Sequence, residues 1–395
     1  MSRPVDSRSG LKLSSAVTAV AAGGSDAWRV HYAGLAMEQA GEDVIVLSVG
    51  DPDFDTPSDI VEAAVSALRG GDTHYTIAGG AGPLADAIAA DESARLGSAI
   101  LPGEVVATLG AQNGLYTLFH CLLEPGDEAI LLAPAYSMFP GVIGSCGARV
   151  VTVPLDQSRG FALDIDALVN AMTPDTRAVL ANFPHNPSGA FPDVETTRAL
   201  IDLCAERGCW LVSDEAYSDL CYDGQYVSPR ALSNAPHIVV IRSLSKTHAM
   251  TGWRIGWVIT GAPLASHLRN FLNHVTYGAP SFIQAAGICA LTGEHGEVAR
   301  MRDSYRERRD RFVAALATAP ALRVVVPRAG IFCLIDVSAT GLGGEAFADR
   351  LLAAEKVSVL PGGGFDPCIQ HCVRVALTQL VERLEEAAGR IARFA

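Results

Sequence analysis

The stretch Ser243-Leu244-Ser245-Lys246-Thr247-His248-Ala249-Met250-Thr251-Gly252-Trp253-Arg254 decides how this 395-residue chain is to be read. A lysine stands between hydroxyls, with an arginine eight residues on. A shielded lysine amine forms a Schiff base with a carbonyl, while serine hydroxyls and a guanidinium grip a phosphate dianion by charge-assisted hydrogen bonds. The pattern suits an aldehyde cofactor that carries a phosphate. Taken alone, the commoner reading is a surface lysine in a Ser/Thr-rich loop, so the weight falls on the residues upstream.

Trp210-Leu211-Val212-Ser213-Asp214-Glu215-Ala216-Tyr217 reads as a short apolar strand that delivers an aspartate and a tyrosine at its carboxyl end. In open α/β sheets ligands sit at that end. Earlier, Ala178-Val179-Leu180-Ala181-Asn182-Phe183 is another buried strand, running into Pro184-His185-Asn186-Pro187-Ser188-Gly189. Its prolines fix a turn that aims the Asn186 amide. Each residue has a bland reading by itself: Asp214 as a helix cap, Tyr217 as a core aromatic, Asn186 as turn punctuation. The ordered set is much harder to obtain by chance.

In that order the residues resemble the class I and II aminotransferases, pyridoxal 5′-phosphate enzymes of fold type I, over roughly residues 28–393. The resemblance implies that Lys246 is the Schiff-base lysine and Asp214 the carboxylate on the pyridine nitrogen. Tyr217 and Asn186 match partners of the phenolic oxygen, and Ser243, Ser245 and Arg254 match phosphate ligands. After the strand Val105-Val106-Ala107-Thr108, Ala111 and Gln112 match a helix N-terminus whose free amides meet the same phosphate. Tyr136 matches the aromatic that stacks on the ring. Gly50 and Arg374 match groups that hold the substrate carboxylate, with Asn186 beside them. Tyr75 matches a tyrosine that reaches the partner subunit's phosphate, which implies a homodimer with shared active sites.

The same resemblance implies an α/β fold: a large domain with a mostly parallel seven-stranded sheet flanked by helices, and a smaller α+β domain. Residues 50–290 would form the large cofactor-binding domain, and residues 1–49 with 291–395 the small one, including a flexible N-terminal arm. The implied activity moves an amino group between an L-amino acid and a 2-oxo acid by a ping-pong mechanism, with Lys246, Asp214 and Tyr217 as the catalytic set. Three departures from the commonest pattern stand out. Asp51 replaces a frequent glutamate before Pro-Asp-Phe, Ser188 a frequent threonine in Asn-Pro-Thr-Gly, and Gln112-Asn113 smaller or basic residues.

A finer resemblance rests on Asp26-Ala27-Trp28-Arg29-Val30-His31-Tyr32, Leu47-Ser48-Val49-Gly50-Asp51-Pro52-Asp53-Phe54-Asp55-Thr56-Pro57, Thr73-His74-Tyr75 and Tyr277-Gly278-Ala279-Pro280-Ser281-Phe282-Ile283-Gln284. These look like the branch that contains arginine:pyruvate aminotransferases, which implies a guanidino or other cationic substrate and pyruvate as oxo acid. Aspartate, alanine or aromatic substrates are the alternative within the family, since one scaffold serves many side chains. Another reaction of the same cofactor, such as β-elimination, decarboxylation or oxidation, is a second alternative, and a non-catalytic sensor a distant third.

Composition agrees with an enzyme of this size. The chain exceeds the length at which a single core stops growing, so two domains are expected. With 18% charged and 49% hydrophobic residues it is not a disordered chain. A net charge of −13 argues against nucleic acid as a partner and suits a cationic substrate. The nine cysteines have no spacing framework and read as free thiols of a reducing, cytoplasmic compartment. Cys368-Ile369-Gln370-His371-Cys372 lacks the further ligands of a metal site. Arg3, Arg8 and Lys12 before residues 13–22 faintly resemble a secretory signal, but hydroxyls break the apolar stretch and a flexible arm fits better. No apolar run approaches the ~20 residues a membrane span needs.

Apolar runs at 44–49, 105–108, 129–133, 149–153, 178–183, 210–214, 238–242 and 255–259 alternate with helical segments, the signature of a largely parallel sheet covered on both faces. Residues 297–317 form a helix whose arginines, interleaved with Asp303, Glu307 and Asp310, read as a solvated, ion-paired face. Strands at 330–336, 357–360 and 373–377 and a helix over 379–392 complete the smaller domain. The glycine-rich 79–82 and 362–364 lack the context of a dinucleotide fingerprint.

Overall fold

Short runs of valine, isoleucine, leucine and alanine become the strands of one seven-stranded sheet in the computed structural model, which describes residues 11–21, 28–80, 82–293 and 296–395. Across the sheet the strands are Val105–Thr108, Gly256–Ile259, Ile238–Ser243, Trp210–Asp214, Thr176–Asn182, Glu128–Ala133 and Arg149–Pro154. Gly256–Ile259 runs antiparallel to both neighbours and the rest are mutually parallel. Both faces are covered, so the inner strand Glu128–Ala133, and even the edge strand Val105–Thr108, are buried at every residue and lack polar alternation. The other edge strand, Arg149–Pro154, exposes much of itself, and Thr176–Asn182 does so at Arg177. Helices Ser58–Arg69, Pro83–Leu96 and Ser281–Thr292 pack together. Gly110–Leu122 and Ala262–Val275 pack against each other, and their buried residues join a second core with the sheet.

A four-stranded antiparallel sheet holds Leu360–Pro361, Cys372–Ala376, Phe332–Asp336 and Arg323–Val325 in that order. Its core takes apolar residues from the helices Glu297–Leu316, Gly344–Glu355 and Val381–Phe394. The run at 44–49, read with the alternating runs of a largely parallel sheet but within residues 1–49 of the small domain, contributes Ile45–Val46 to a separate two-stranded parallel pair with Val357–Ser358. The expected strand at 357–360 is correspondingly split, because Val357–Ser358 and Leu360–Pro361 pair in different sheets.

The arginine-rich helix also departs from expectation. Arg302 pairs locally with Asp303, but Arg308 and Arg309 are buried. Arg308 makes a bidentate pair with Asp53 at 2.6 and 2.9 Å and also donates to the Leu377 carbonyl, while Arg309 reaches Asp223 and the Pro327 carbonyl. Arg309 also donates from Nε to its neighbour Asp310 at 2.6 Å, and both arginines add distant acceptors because a buried guanidinium needs several at once.

Of the expected N-terminal arm, residues 1–10 and 22–27 lie outside the described residues, and with them Arg3, Arg8, Asp26 and Ala27; so does Ala81 in the glycine-rich run. Ser15–Ala21 is helical and packs on Phe139–Ser145, where Gly144 allows the approach: a Cβ there would lie 3.0 Å from that of Ala19. Among the described residues no helix is long and apolar enough to cross a membrane.

Candidate active site

Three neighbouring parallel strands end together at the carboxyl edge of the large sheet. Asn182 stands opposite Asp214 in register, and Ile238–Ser243 runs alongside into the short helix Leu244–Thr247 that carries Lys246. Asn182 donates through Nδ2 to the Asp214 carbonyl at 3.2 Å, and its Oδ1 accepts from the Asn186 backbone at 3.1 Å. One side chain thereby ties the strand end to the proline turn. His185 closes that turn, with Nε2 2.7 Å from the Pro134 carbonyl and Nδ1 2.7 Å from the Ser188 hydroxyl. Burial pushes its imidazole down to about 4, so the ring is neutral at pH 7; Nε2–H donates to the carbonyl and Nδ1 accepts from Ser188.

Lys246 donates from Nζ to the Gly50 carbonyl at 2.6 Å. Burial lowers its amine to about 8; the nearby Asp51 opposes the shift, and Arg374 and Arg254 add to it. Asp214 is buried, which raises its carboxyl to about 6 against the Ala216 amide that donates to it at 3.2 Å. Burial also drives the Tyr217 hydroxyl upward, so it is a phenol that donates rather than a phenolate.

At one end of the cavity the structure gathers donors for an anion. Ser243 and Ser245 are buried, while Arg254 is exposed and holds a left-handed φ of 57°. Its guanidinium donates to the carbonyls of Thr251 at 2.9 Å and Leu109 at 3.2 Å, and crosses Gly110 closely: a Cβ there would stand 2.4 Å from Nη2. Gly110 has φ 76° and begins the helix Gly110–Leu122, whose N-cap side chain offers no hydrogen bond. The first-turn amides, at Ala111 and Gln112 among others, leave the partial positive charge that attracts phosphate. Gly256 lies opposite both Thr108 and Ser243, and a Cβ on it would sit 2.7 Å from the Ala111 nitrogen; the antiparallel strand is thus drawn against the helix start, with Arg254 two residues away.

Arg374 comes from the smaller sheet. Only 2% exposed, it donates from Nη1 to Asn186 Oδ1 at 3.2 Å and from Nη2 to the Ser48 carbonyl at 2.8 Å, while Nε is buried with no partner. Phe332 and Phe365 flank its guanidinium, their ring centres 3.9 and 4.9 Å away. Burial lowers it to about 10, with Tyr217 and Tyr136 opposing the shift, so it is cationic at neutral pH. A cation with an unused buried donor is suited to a carboxylate.

These residues surround a cavity of about 340 Å³: Gly50, Ala111, Gln112, Tyr136, Asn186, Asp214, Tyr217, Ser243, Ser245, Lys246, Arg254 and Arg374 all line it. Tyr75 does not. It is 88% exposed and packs on Tyr277, with ring centres 5.1 Å apart. Sequence reasoning did not assign site roles to Trp28, Asp51, Phe139, Asn182 or Phe332, which also line the cavity. Asp51 and Asn182 adjoin motif residues, but nothing in the sequence signals that Trp28 and Phe332 meet here. A larger cavity of about 640 Å³ lies behind Ser243 and Thr247, next to Arg242 and Asp219, which pair at 2.6 Å. It has no lysine on its walls, so the smaller cavity is the candidate active site.

An amine of lowered proton affinity, a buried carboxyl, a cluster of anion donors and a guanidinium with an unused donor on the walls of one cavity fit a flat phosphorylated pyridine aldehyde together with a carboxylate substrate. With the mostly parallel seven-stranded sheet, these features define fold type I of the pyridoxal-phosphate transferases. The chain belongs to the aminotransferase class I and II family, which matches residues 42–391, and it is an aminotransferase. It is 45% identical to the arginine–pyruvate transaminase AruH of Pseudomonas aeruginosa over 94% of this chain and 95% of that one. With an aspartate aminotransferase of Pyrococcus horikoshii the identity is 34%, over 89% and 90% of the two chains. The solved structure of Thermus thermophilus aspartate aminotransferase with maleate superposes with a TM-score of 0.92 at 33% identity, covering 98% of this chain and all of that one.

Proposed function

We propose that this aminotransferase carries pyridoxal 5′-phosphate on Lys246 and exchanges the amino group of a cationic L-amino acid, arginine first, with a 2-oxo acid such as pyruvate. The observation that carries the reading is one cavity holding Lys246, its amine lowered to about 8, together with Asp214 and Arg374. The similarity to a protein named arginine–pyruvate transaminase, at 45% identity against 34% for an aspartate aminotransferase, supports the substrate class.

Once bound, the cofactor supplies an electron sink for charge developing at the substrate's α-carbon. Asp214, whose pKa of about 6 leaves it a carboxylate at neutral pH, would accept from a protonated ring nitrogen and keep the proton there. Tyr217 and Asn186, both on the wall of that cavity, would donate to the cofactor's phenolic oxygen, and Tyr136 would pack on its ring. Ser243, Ser245, Arg254 and the amides at Ala111 and Gln112 hold the phosphate. Arg374 clamps the α-carboxylate with Gly50 and Asn186, orienting the α-hydrogen. Once the substrate's amine has taken its place on the cofactor, the freed Lys246 amine would take that hydrogen as a proton and return it at the cofactor's former carbonyl carbon, a task suited to a base whose pKa lies near the working pH. Tyr75, outside its own chain's cavity, serves the phosphate of a second subunit in a homodimer. With all nine cysteines free thiols, the cytoplasm is the compartment that suits the chain.

The test is a panel of L-amino acids added to the holoenzyme without any oxo acid, scored by loss of the lysine-bound cofactor's visible absorbance. Arginine should produce the largest loss, and pyruvate should restore the band. A panel in which aspartate or aromatic amino acids respond and cationic ones do not would overturn the substrate class while leaving the family untouched.

A further inference from the structure

We propose that the Asp51 carboxylate is the specificity group that receives the cationic end of the substrate side chain at the cavity mouth. The proposal rests on the transamination reading above. Two carboxylates line the cavity, Asp51 and Asp214. Asp214 is buried at the strand end and engaged by the Ala216 amide, whereas Asp51 is exposed at the rim. The field of Asp51 reaches the reactive amine, since it raises the proton affinity of Lys246 against the effect of burial. Its backbone neighbour Gly50 accepts the Lys246 hydrogen bond, so Asp51 stands one residue from the reacting centre.

The run Gly50-Asp51-Pro52-Asp53 divides its two acids between different tasks. Asp53 is locked in the bidentate pair with Arg308, which anchors the segment to the smaller domain's long helix. Asp51 is a partner in no ion pair among the described residues, in contrast to Asp53 two residues on. An unpaired carboxylate at the rim of a binding cavity is a receptor for a guanidinium or ammonium group. Trp28 lines the same cavity and offers an aromatic face on which a planar guanidinium can stack.

The cations give the complementary argument. Lys246, Arg254 and Arg374 line the cavity, and the reactive amine, the phosphate and the α-carboxylate use all three. Gln112, at the helix start, is neutral. Among the described residues of this chain, none remains to neutralise a second carboxylate on the substrate, so the walls favour a cationic side chain over an acidic one.

The experiment compares L-arginine with L-citrulline, its neutral near-isostere, on the holoenzymes of the wild type, Asp51→Asn and Asp51→Lys. The quantity read is the ratio of kcat/KM for the two substrates, which cancels any difference in the fraction of correctly folded sites. The wild type should favour arginine, Asp51→Asn should lower the ratio about tenfold, equivalent to about 1.4 kcal/mol, and Asp51→Lys should invert it. A wild type that prefers arginine, with the ratio in Asp51→Asn unchanged within a factor of two, would overturn the role of Asp51 and leave the substrate reading standing. A wild type that turns over neither compound but accepts other amino acids would overturn the substrate reading, and this proposal with it.

Discussion

Lys246 is tethered through Nζ to the carbonyl of Gly50, 2.6 Å away, and Gly50 precedes the acidic pair Asp51 and Asp53. The reactive amine therefore rests on the segment that also carries the proposed substrate contacts, between the two sheets. Filling the site must exchange that hydrogen bond for new partners, and the ease of the exchange depends on the protonation of the amine.

With its pKa at about 8 rather than the usual 10.5, roughly a tenth of the Lys246 amine is unprotonated at pH 7. Only the unprotonated amine attacks a carbonyl. The rate at which apoprotein captures pyridoxal 5′-phosphate, followed by stopped-flow absorbance, should rise about tenfold per pH unit below 8 and then level. A rise that continues to pH 10 would show an amine of ordinary basicity.

Asp214 links function to stability. Its folded pKa of about 6 lies above the unfolded 3.8, so the folded apoprotein prefers the protonated acid. That contribution is fully present below about pH 4 and is lost as pH rises through 6, a change of at most about 3 kcal/mol. Asp214→Asn, which cannot ionise, should make the apoprotein more stable than wild type to urea at pH 8 and equal to it at pH 4. The same variant should lower kcat at least a hundredfold, because no carboxylate holds the proton at the ring nitrogen.

Arg374 is clamped by Asn186, Ser48 and two phenylalanine faces, an environment shaped for a planar guanidinium. Arg374→Lys keeps the charge but loses the fork. It should lower kcat/KM for the amino acid at least a hundredfold, mostly through KM, and leave the affinity for pyridoxal 5′-phosphate within a factor of three. An equal loss for cofactor and substrate would remove Arg374 from the carboxylate site.

Gly110 combines a left-handed φ of 76° with the close crossing of Arg254. In Gly110→Ala the new methyl group would meet Nη2 at 2.4 Å and displace the guanidinium. The dissociation constant for pyridoxal 5′-phosphate should rise at least tenfold, while pyridoxal without phosphate, which does not use Arg254, should change far less. Equal weakening of both would place the phosphate elsewhere.

Strands buried on both faces were legible whether they lie inside the sheet or at its edge. Residues 105–108 and 210–214 read as uninterrupted apolar runs ending in polar groups, and the structure forms them with those bounds. Residues that share the cavity were also readable wherever a strand end or turn delivers them, as with Asp214, Asn186 and Lys246. Contacts across long sequence separations were not. Nothing local distinguishes Arg308, which reaches Asp53, from Arg302, which pairs with its neighbour Asp303. Nor does the run at 44–49 reveal that its partner is Val357–Ser358 rather than the large sheet. Phe332 reads only as a strand residue and Phe365 carries no signal in the sequence, yet both rings flank Arg374, whose guanidinium reaches the turn at Asn186.

The chain contains three lysines, Lys12, Lys246 and Lys356, which makes the central claim directly testable. Holoenzyme reduced with borohydride and digested should yield one pyridoxyl-phosphate adduct by mass spectrometry, on the peptide that contains Lys246. An adduct on Lys12 or Lys356, or none in protein previously incubated with pyridoxal 5′-phosphate, would contradict the account.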